Sequence, residues 1–575
     1  MNRSGKKIEE EEIYLRGIKN ILRGLFSFSV NVSAILKKSC LSNTGLFLLF
    51  FVAIVLSLGK RLSYPPYGDD LYVVWNSSYR ILQGEYKGVD YNCLQNNDPG
   101  HPYLFYGITA LGWKVLGVNP YWPHFLTVCL AALSLLYTVK IGRYLWGWDV
   151  GITAAILLFC NSAFISSAGL MHLNIPSLAM YLPSFYYFMR HKKIHFIISL
   201  AALTLFKATG IVYAFGLYAA FVVFIILTAK RHPSPGKSFL IGSTLFASAP
   251  LAFILFALLR KALTGNYISS PSYGIGKQML FPSTWEVFMS HLKTMVWDKL
   301  FLTSELFLVV SFTILMAVYH WLRLRSVKTK QVGAPTELPG EEMRRRFFWL
   351  AAFLPVCVVC LFFGLRMENN LVTYYLPLFP FFYLGFTGYL LRTFKKSFVF
   401  VSYGIILILC LLLIVRWKSI SNIGKWAGWC PRLDRYLKVT CSTNFGYIDP
   451  ARCLLQAAQF VEEKYPDAMI CATYPESHAF DWPWAGYVKK PYKTFEVYYR
   501  DSVRDFDRYY KMHKTMTTLI VTSGFSWQIN MSDIVKYFKA VKLKEFKTKN
   551  FRTPITVWIV YPESPPSKNQ ERLAQ

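Results

Sequence analysis

Long apolar blocks, separated by short and mostly basic loops, constrain this chain more than any other feature. Blocks near residues 44–59, 121–142, 150–168, 176–189, 194–208, 210–228, 238–258, 303–322, 347–364, 371–391 and 398–415 read as candidate membrane spans. Of 575 residues, 54% are hydrophobic and only 17% are charged, too few charges for the several soluble domains that such a length would otherwise form. The composition predicts an α-helical polytopic membrane protein. Its formal net charge of +31 does not point to nucleic acid. Most Lys and Arg lie in short loops beside apolar runs, where anionic membrane lipids and the positive-inside rule account for them.

A twelfth block, HPYLFYGITALGWKVLG at 101–117, decides the topology. If it stays on one side, the basic segments all share a face: the N-terminal tail, Lys140 and Arg143, and the stretches 190–195, 229–237, 323–346 and 392–396. If it crosses, every basic segment after it changes side. Lys and Arg in short loops prefer the cytoplasm, so 101–117 is expected to be an interfacial or re-entrant helix. About eleven transmembrane helices result, with the N-terminus inside and the C-terminus outside. The expected division is a cytoplasmic segment 1–43 without a cleavable signal peptide, a membrane domain 44–416 with an outer loop 60–120, and an extracytoplasmic domain 417–575. In the last, AMICAT (468–473), TTLIVTSGF (517–525) and TPITVWIVY (553–561) read as strands and LLQAAQFVEEKY (454–465) as a helix, which predicts a soluble α/β domain. Cys430, Cys441, Cys453 and Cys471 there could pair in an oxidising space or remain buried thiols. The sequons Asn76-Ser77-Ser78 and Asn530-Met531-Ser532 fall outside the membrane on this topology.

This orientation gathers polar residues scattered along the chain onto one face: Asp69, Asp70, Asp98, His101, His172, Asn174, Lys207, the loop 259–302 and RMENN (366–370). Each has a bland reading. The acidic pair could be solvated, Lys207 could snorkel to headgroups, Asn174 could cap the following helix, Arg366 could pair with Glu368, and Tyr374 and Tyr375 could belong to an aromatic belt. Together they have a chemical logic. A carboxylate able to take a proton, beside cations able to neutralise a phosphate at a membrane surface, suits attack of a hydroxyl on a phosphate-linked sugar. No span carries His or carboxylates at metal-ligand spacing. Asp69, Asp70 and Asp98 could bind a divalent cation, but no cofactor is expected.

The order of these elements resembles the GT-C superfamily of membrane glycosyltransferases, above all the branch of dolichyl-phosphate-mannose protein mannosyltransferases and bacterial aminoarabinose lipid A transferases. The family's acidic pair in the first outer loop looks like Asp69-Asp70, and its Pro-rich helix-opening element like His101-Pro102-Tyr103-Leu104. Its Lys-Gly after a middle span looks like Lys207-Ala208-Thr209-Gly210, and its late R-Y-x-L-P-x-x-P element like residues 373–380. The resemblance covers roughly 45–415. It implies an inverting glycosyltransferase that uses a polyprenyl-phosphate sugar donor and a lipid, glycan or protein acceptor on the outer face of the membrane. Asp69 and Asp70 would be the catalytic residues; His101, Lys207, His172, Asn174, Arg366, Tyr374 and Tyr375 would bind substrate. Three positions depart from the family: Asn174 stands where an acid is usual, Thr373 where an Arg is usual, and Asp70 where a Glu is usual. The expected location is a bacterial cytoplasmic membrane, or the ER membrane of a eukaryote. A transporter or flippase of a lipid-linked glycan would use a similar charged vestibule, but the chain shows no paired halves. A degenerate binding or scaffold member is the third alternative.

Overall fold

The computed structural model describes residues 42–68, 70–85, 102–171, 173–229, 234–264, 376–393, 404–407, 449–473, 476–497, 503–512, 516–523, 535–547 and 555–560, with residue 410 and short pieces between 344 and 358. Helix α1 (Asn43–Leu58) begins where the Ser42 hydroxyl accepts the Gly45 N–H at 3.1 Å. Leu46, Phe50, Ile54 and Leu58, four residues apart, form its buried stripe, while Leu48, Leu49, Val52 and Leu56 are exposed. A stripe so narrow on a helix apolar all round is what a lipid-facing helix needs, because hydrocarbon accepts its other flank.

After a 3-10 turn at Gly59–Ser63, the chain extends to Gly68 and winds into a π-helical turn, Asp70–Asn76, that runs into α2 (Ser77–Leu82). Asn76 is wholly buried, so the first sequon is inaccessible in the folded chain. Helix α3 (Leu104–Leu116) has 13 residues, about 20 Å, which is short of the roughly 30 Å of a bilayer core. It buries Phe105, Tyr106, Thr109, Ala110 and Trp113 and exposes Leu111, Val115 and Leu116, so one face packs on the protein and the apolar opposite face is left open.

Helix α4 (Tyr121–Leu145) turns back into α5 (Trp148–Cys160), which is followed by α6 (Ser162–Ala168). The block 150–168, expected as one span, bends by 71° at Asn161. The reason is local: the Asn161 side-chain Oδ1 accepts the Phe164 N–H at 3.0 Å, which starts a new helix, while its Nδ2 donates to the Tyr383 hydroxyl at 2.8 Å. Helices α7 (Asn174–Met189), α8 (Lys193–Phe206), α9 (Gly210–Thr228), α10 (Pro235–Phe246) and α11 (Ser248–Thr264) follow, the last two running on as one long apolar segment, and α12 (Phe379–Thr393) packs on α5. Helices α4, α7 and α8 form the packed centre, with Phe185, Phe347, Phe348 and Phe381 interleaved beside it. Among the described residues four helices are long and apolar enough to cross a membrane, or five if the bent pair counts as one. The expected span 303–322 and most of 347–364 and 398–415 lie outside the described residues.

The C-terminal unit is α/β. Its elements are α13 (Asp449–Lys464), β1 (Met469–Ala472), α14 (Glu476–Asp481), β2 (Lys493–Glu496), α15 (Val503–Met512), β3 (Thr518–Ser523), β4 (Val541–Phe546) and β5 (Ile555–Val560). The sheet order is β2-β1-β3-β5-β4, parallel from β2 to β3 and antiparallel from β3 to β4. The three predicted strands form its centre, and α13 covers it with Leu454, Ala457, Ala458 and Val461. The edge strands β2 (KTFE) and β4 (VKLKEF) carry charges that protect sheet edges, so they left no apolar signal in the sequence. Cys453 and Cys471 are buried free thiols; Cys430 and Cys441 lie outside the described residues.

Candidate active site

Asp70 opens the π-helical turn and is buried, 2% exposed. Its placement begins with Gly68, whose φ of +60° admits glycine with little strain and lets the Leu71 N–H close a turn on the Gly68 carbonyl at 3.0 Å. From there the Asp70 Oδ2 accepts the backbone N–H of Met171 at 3.0 Å. A buried carboxylate is costly, and a backbone donor favours its ionised form. The first loop is thereby tied to the link between α6 and α7.

Three residues beyond Met171, Asn174 begins α7. It does not cap that helix: Leu173 occupies the cap position, with no side-chain bond. The Asn174 side chain instead meets Lys207, whose Nζ donates to Asn174 Oδ1 at 2.6 Å. Both residues are 2% exposed, so Lys207 does not snorkel to headgroups. The ammonium also settles the amide orientation, because only the carbonyl oxygen can accept from it. Asn174 Nδ2 is left buried with no hydrogen-bond partner among the described residues. The result is a donor-rich spot, an ammonium beside a free amide N–H₂, suited to the oxygens of a phosphate or a sugar.

Lys207 reaches this point because α8 ends there in extended backbone and the Gly210 N–H closes a turn on the Lys207 carbonyl at 2.8 Å. A Cβ at Gly210 would lie 2.2 Å from the Leu203 carbonyl oxygen, so the tight approach of α9 to α8 requires glycine. That is the physical reason for Lys and Gly at this spacing.

A second cation escaped the sequence reading. The apolar block was expected to end at 258, with Arg260 in a loop. Helix α11 instead runs to Thr264, and Arg260 is 1% exposed, with its guanidinium 5.8 Å from the centre of the Tyr103 ring. The available signal was the spacing of Leu259 and Leu263, four residues apart, which continues the helical period past Arg260. The start of α3 packs on both helices that carry these cations: Tyr103 on Phe256 of α11 at 5.3 Å, and Phe105 on Phe206, the residue before Lys207, at 6.2 Å.

Asp70, Asn174 and Lys207 are therefore joined through one short link. Asp69, Asp98, His101, His172, Arg366, Tyr374 and Tyr375 lie outside the described residues. Among the described residues, no group of three His, Cys, Asp or Glu side chains is placed to hold a metal ion.

No family model matches the chain, and no curated protein matches it in sequence. Among solved structures it is similar to a crystal structure of ArnT from Cupriavidus metallidurans bound to undecaprenyl phosphate, at 14% identity and a TM-score of 0.48, over 92% of this chain and 100% of that one. It is also similar to the Archaeoglobus fulgidus oligosaccharyltransferase in complex with zinc and sulfate, at 12% identity and a TM-score of 0.43, over 89% of this chain and 74% of that one.

Proposed function

We propose that the chain is an inverting glycosyltransferase of about eleven spans that moves a sugar from a polyprenyl-phosphate donor to a hydroxyl acceptor at the outer surface of its membrane. The observation that carries this reading is the buried Lys207–Asn174 donor pair, one link away from buried Asp70. Lys207 and Arg260 hold the donor phosphate, and Asn174 Nδ2 donates to a phosphate or sugar oxygen. Asp69 takes the acceptor proton while the acceptor oxygen forms a bond to the anomeric carbon from the opposite side. The bond from that carbon to the phosphate oxygen breaks, and the departing polyprenyl phosphate keeps both bonding electrons and its lipid stays in the bilayer. Asp70 holds the acidic turn in place through Met171. His101, His172, Arg366, Tyr374 and Tyr375 complete the substrate contacts on this reading.

The test is transfer in membranes containing the protein, with a polyprenyl-phosphate hexose as donor and release of polyprenyl phosphate as the signal. Asp69→Asn is expected to lower turnover by about 10²–10⁴-fold, the range for loss of a positioned base. Near-normal turnover at normal expression rejects the assignment. Net movement of lipid-linked sugar across proteoliposomes, without a new glycosidic bond, would replace it with transport.

A further inference from the structure

The acidic turn is held from two sides. On one, Asp70 is bonded to the membrane unit through Met171. On the other, Tyr67 and Leu71, which bracket Asp69 and Asp70, are buried in the hydrophobic core of the C-terminal unit, with Ala451, Leu454, Phe480 and Tyr487. Three polar contacts, each joining residues about 400 positions apart, fix the same turn. The Tyr67 hydroxyl donates to Glu476 Oε1 at 3.2 Å, the Tyr487 hydroxyl donates to the Pro66 carbonyl at 2.8 Å, and the Trp75 indole N–H donates to the Trp484 carbonyl at 2.9 Å. Trp484 also stacks on Tyr79 with ring centres 4.7 Å apart and planes 5° from parallel. These contacts start at Pro66, three residues before Asp69, and end at Tyr79, beyond the π-helical turn.

Glu476 is the unusual member, a carboxylate at 0% exposure. The Thr473 hydroxyl donates to its Oε2 at 3.3 Å, so both carboxylate oxygens accept a hydroxyl. Burial and the Glu476 charge push the Tyr487 hydroxyl well above its ordinary value, which keeps the proton it donates to Pro66. A fold needing only hydrophobic adhesion between its two units would not bury a carboxylate at their junction. Directional bonds to a buried acid set orientation and register, which adhesion alone does not.

We infer that the C-terminal unit is a positioning device for the acidic pair, with Glu476 a positioning residue that acts through the Tyr67 hydroxyl to aim the turn carrying Asp69 and Asp70. This rests on the proposed transferase reading. On it, the C-terminal unit contributes no group to the reacting atoms and sets turnover by holding the base.

The test uses the full-length protein in detergent with Tyr67→Phe and Glu476→Gln. Amide hydrogen exchange of residues 70–78 is expected to rise at least tenfold in Tyr67→Phe, with β1 and β3 unchanged, because the ring keeps its packing and only one hydroxyl is lost. With polyprenyl-phosphate hexose as donor, kcat falls about tenfold while KM for the donor stays within twofold, since the phosphate contacts are elsewhere. Glu476→Gln, which can still accept the Tyr67 hydroxyl, retains more turnover than Glu476→Ala. If Glu476 variants also loosen β1 and β3, Tyr67→Phe decides the matter. Unchanged exchange at 70–78 in Tyr67→Phe, or a change confined to donor KM, overturns the positioning role. Full turnover in Asp69→Asn removes the transferase reading instead and leaves the exchange result untouched.

Discussion

Replacing Lys207 with Met separates a structural cation from a working one. The ammonium is 2% exposed and donates to Asn174 Oδ1 at 2.6 Å, a neutral acceptor. Burying an ammonium costs several kcal/mol after relaxation, and its bond to Asn174 offsets about 1.5–3 kcal/mol of that. Met fills nearly the same volume without the charge. The substitution removes the ammonium's bonds together with its desolvation, two opposing contributions of a few kcal/mol each. Stability should therefore change little. Ligand binding should not: a charge-assisted bond to phosphate contributes about 1.5–3 kcal/mol net, which is about 10–150-fold in Kd. The assay is a titration of detergent-solubilised full-length protein with undecaprenyl phosphate, run beside thermal unfolding. Affinity should fall about 10–150-fold at a nearly equal Tm. Unchanged affinity, or intact affinity with a collapsed Tm, would make Lys207 a packing residue and refute the reasoning.

Arg260→Gln should weaken undecaprenyl phosphate binding by about 10–150-fold in the same titration, as expected for a buried guanidinium that pairs with phosphate; equal affinity removes it from the site. Gly210→Ala forces α9 away from the Leu203 carbonyl, with an overpacking cost of about 1–3 kcal/mol. It should lower Tm and, unlike Lys207→Met, lose affinity and stability together. The C-terminal unit should weaken in acid. Burial against Trp482 holds the His478 imidazole down at about 4, although the Glu496 carboxylate 3.7 Å from Nδ1 pulls the other way. The folded unit keeps His478 neutral while the unfolded chain takes up a proton near 6.5, so this stability is complete above about pH 6.5 and is lost as pH falls towards 4, about 3 kcal/mol in all. Hydrogen exchange of β1 and β3 between pH 7.5 and 4.5 measures it, and His478→Gln should flatten the slope.

Periodicity and charge bias were legible because they are properties of sequence in a solvent. An apolar run must find hydrocarbon, a Lys in a short loop must find an anionic leaflet, and a helix of 13 residues cannot reach across. These rules located α1, α4 and α9, the shorter apolar helices α3 and α8, and the strands β1, β3 and β5. They failed where a side chain redirected the backbone, as at Asn161, and where charge protected an edge, as in β2 and β4. They also cut α11 short of Arg260, because a buried cation reads as a loop until its surroundings are known.

The site divides in the same way. That Asn174 and Lys207 share one end of the helical bundle follows from chain order and helix direction alone, since Asn174 starts α7 and Lys207 ends the antiparallel α8. Only the tertiary structure decided that Lys207 would be bonded to Asn174 and not to lipid, that Arg260 would approach Tyr103, and that Glu476 would hold Tyr67 across 409 positions of sequence. The physical reason is range. Solvent preference acts on each residue where it stands, whereas a directional bond exists only between two groups already brought within about 3 Å, and no local pattern encodes which distant partner arrives.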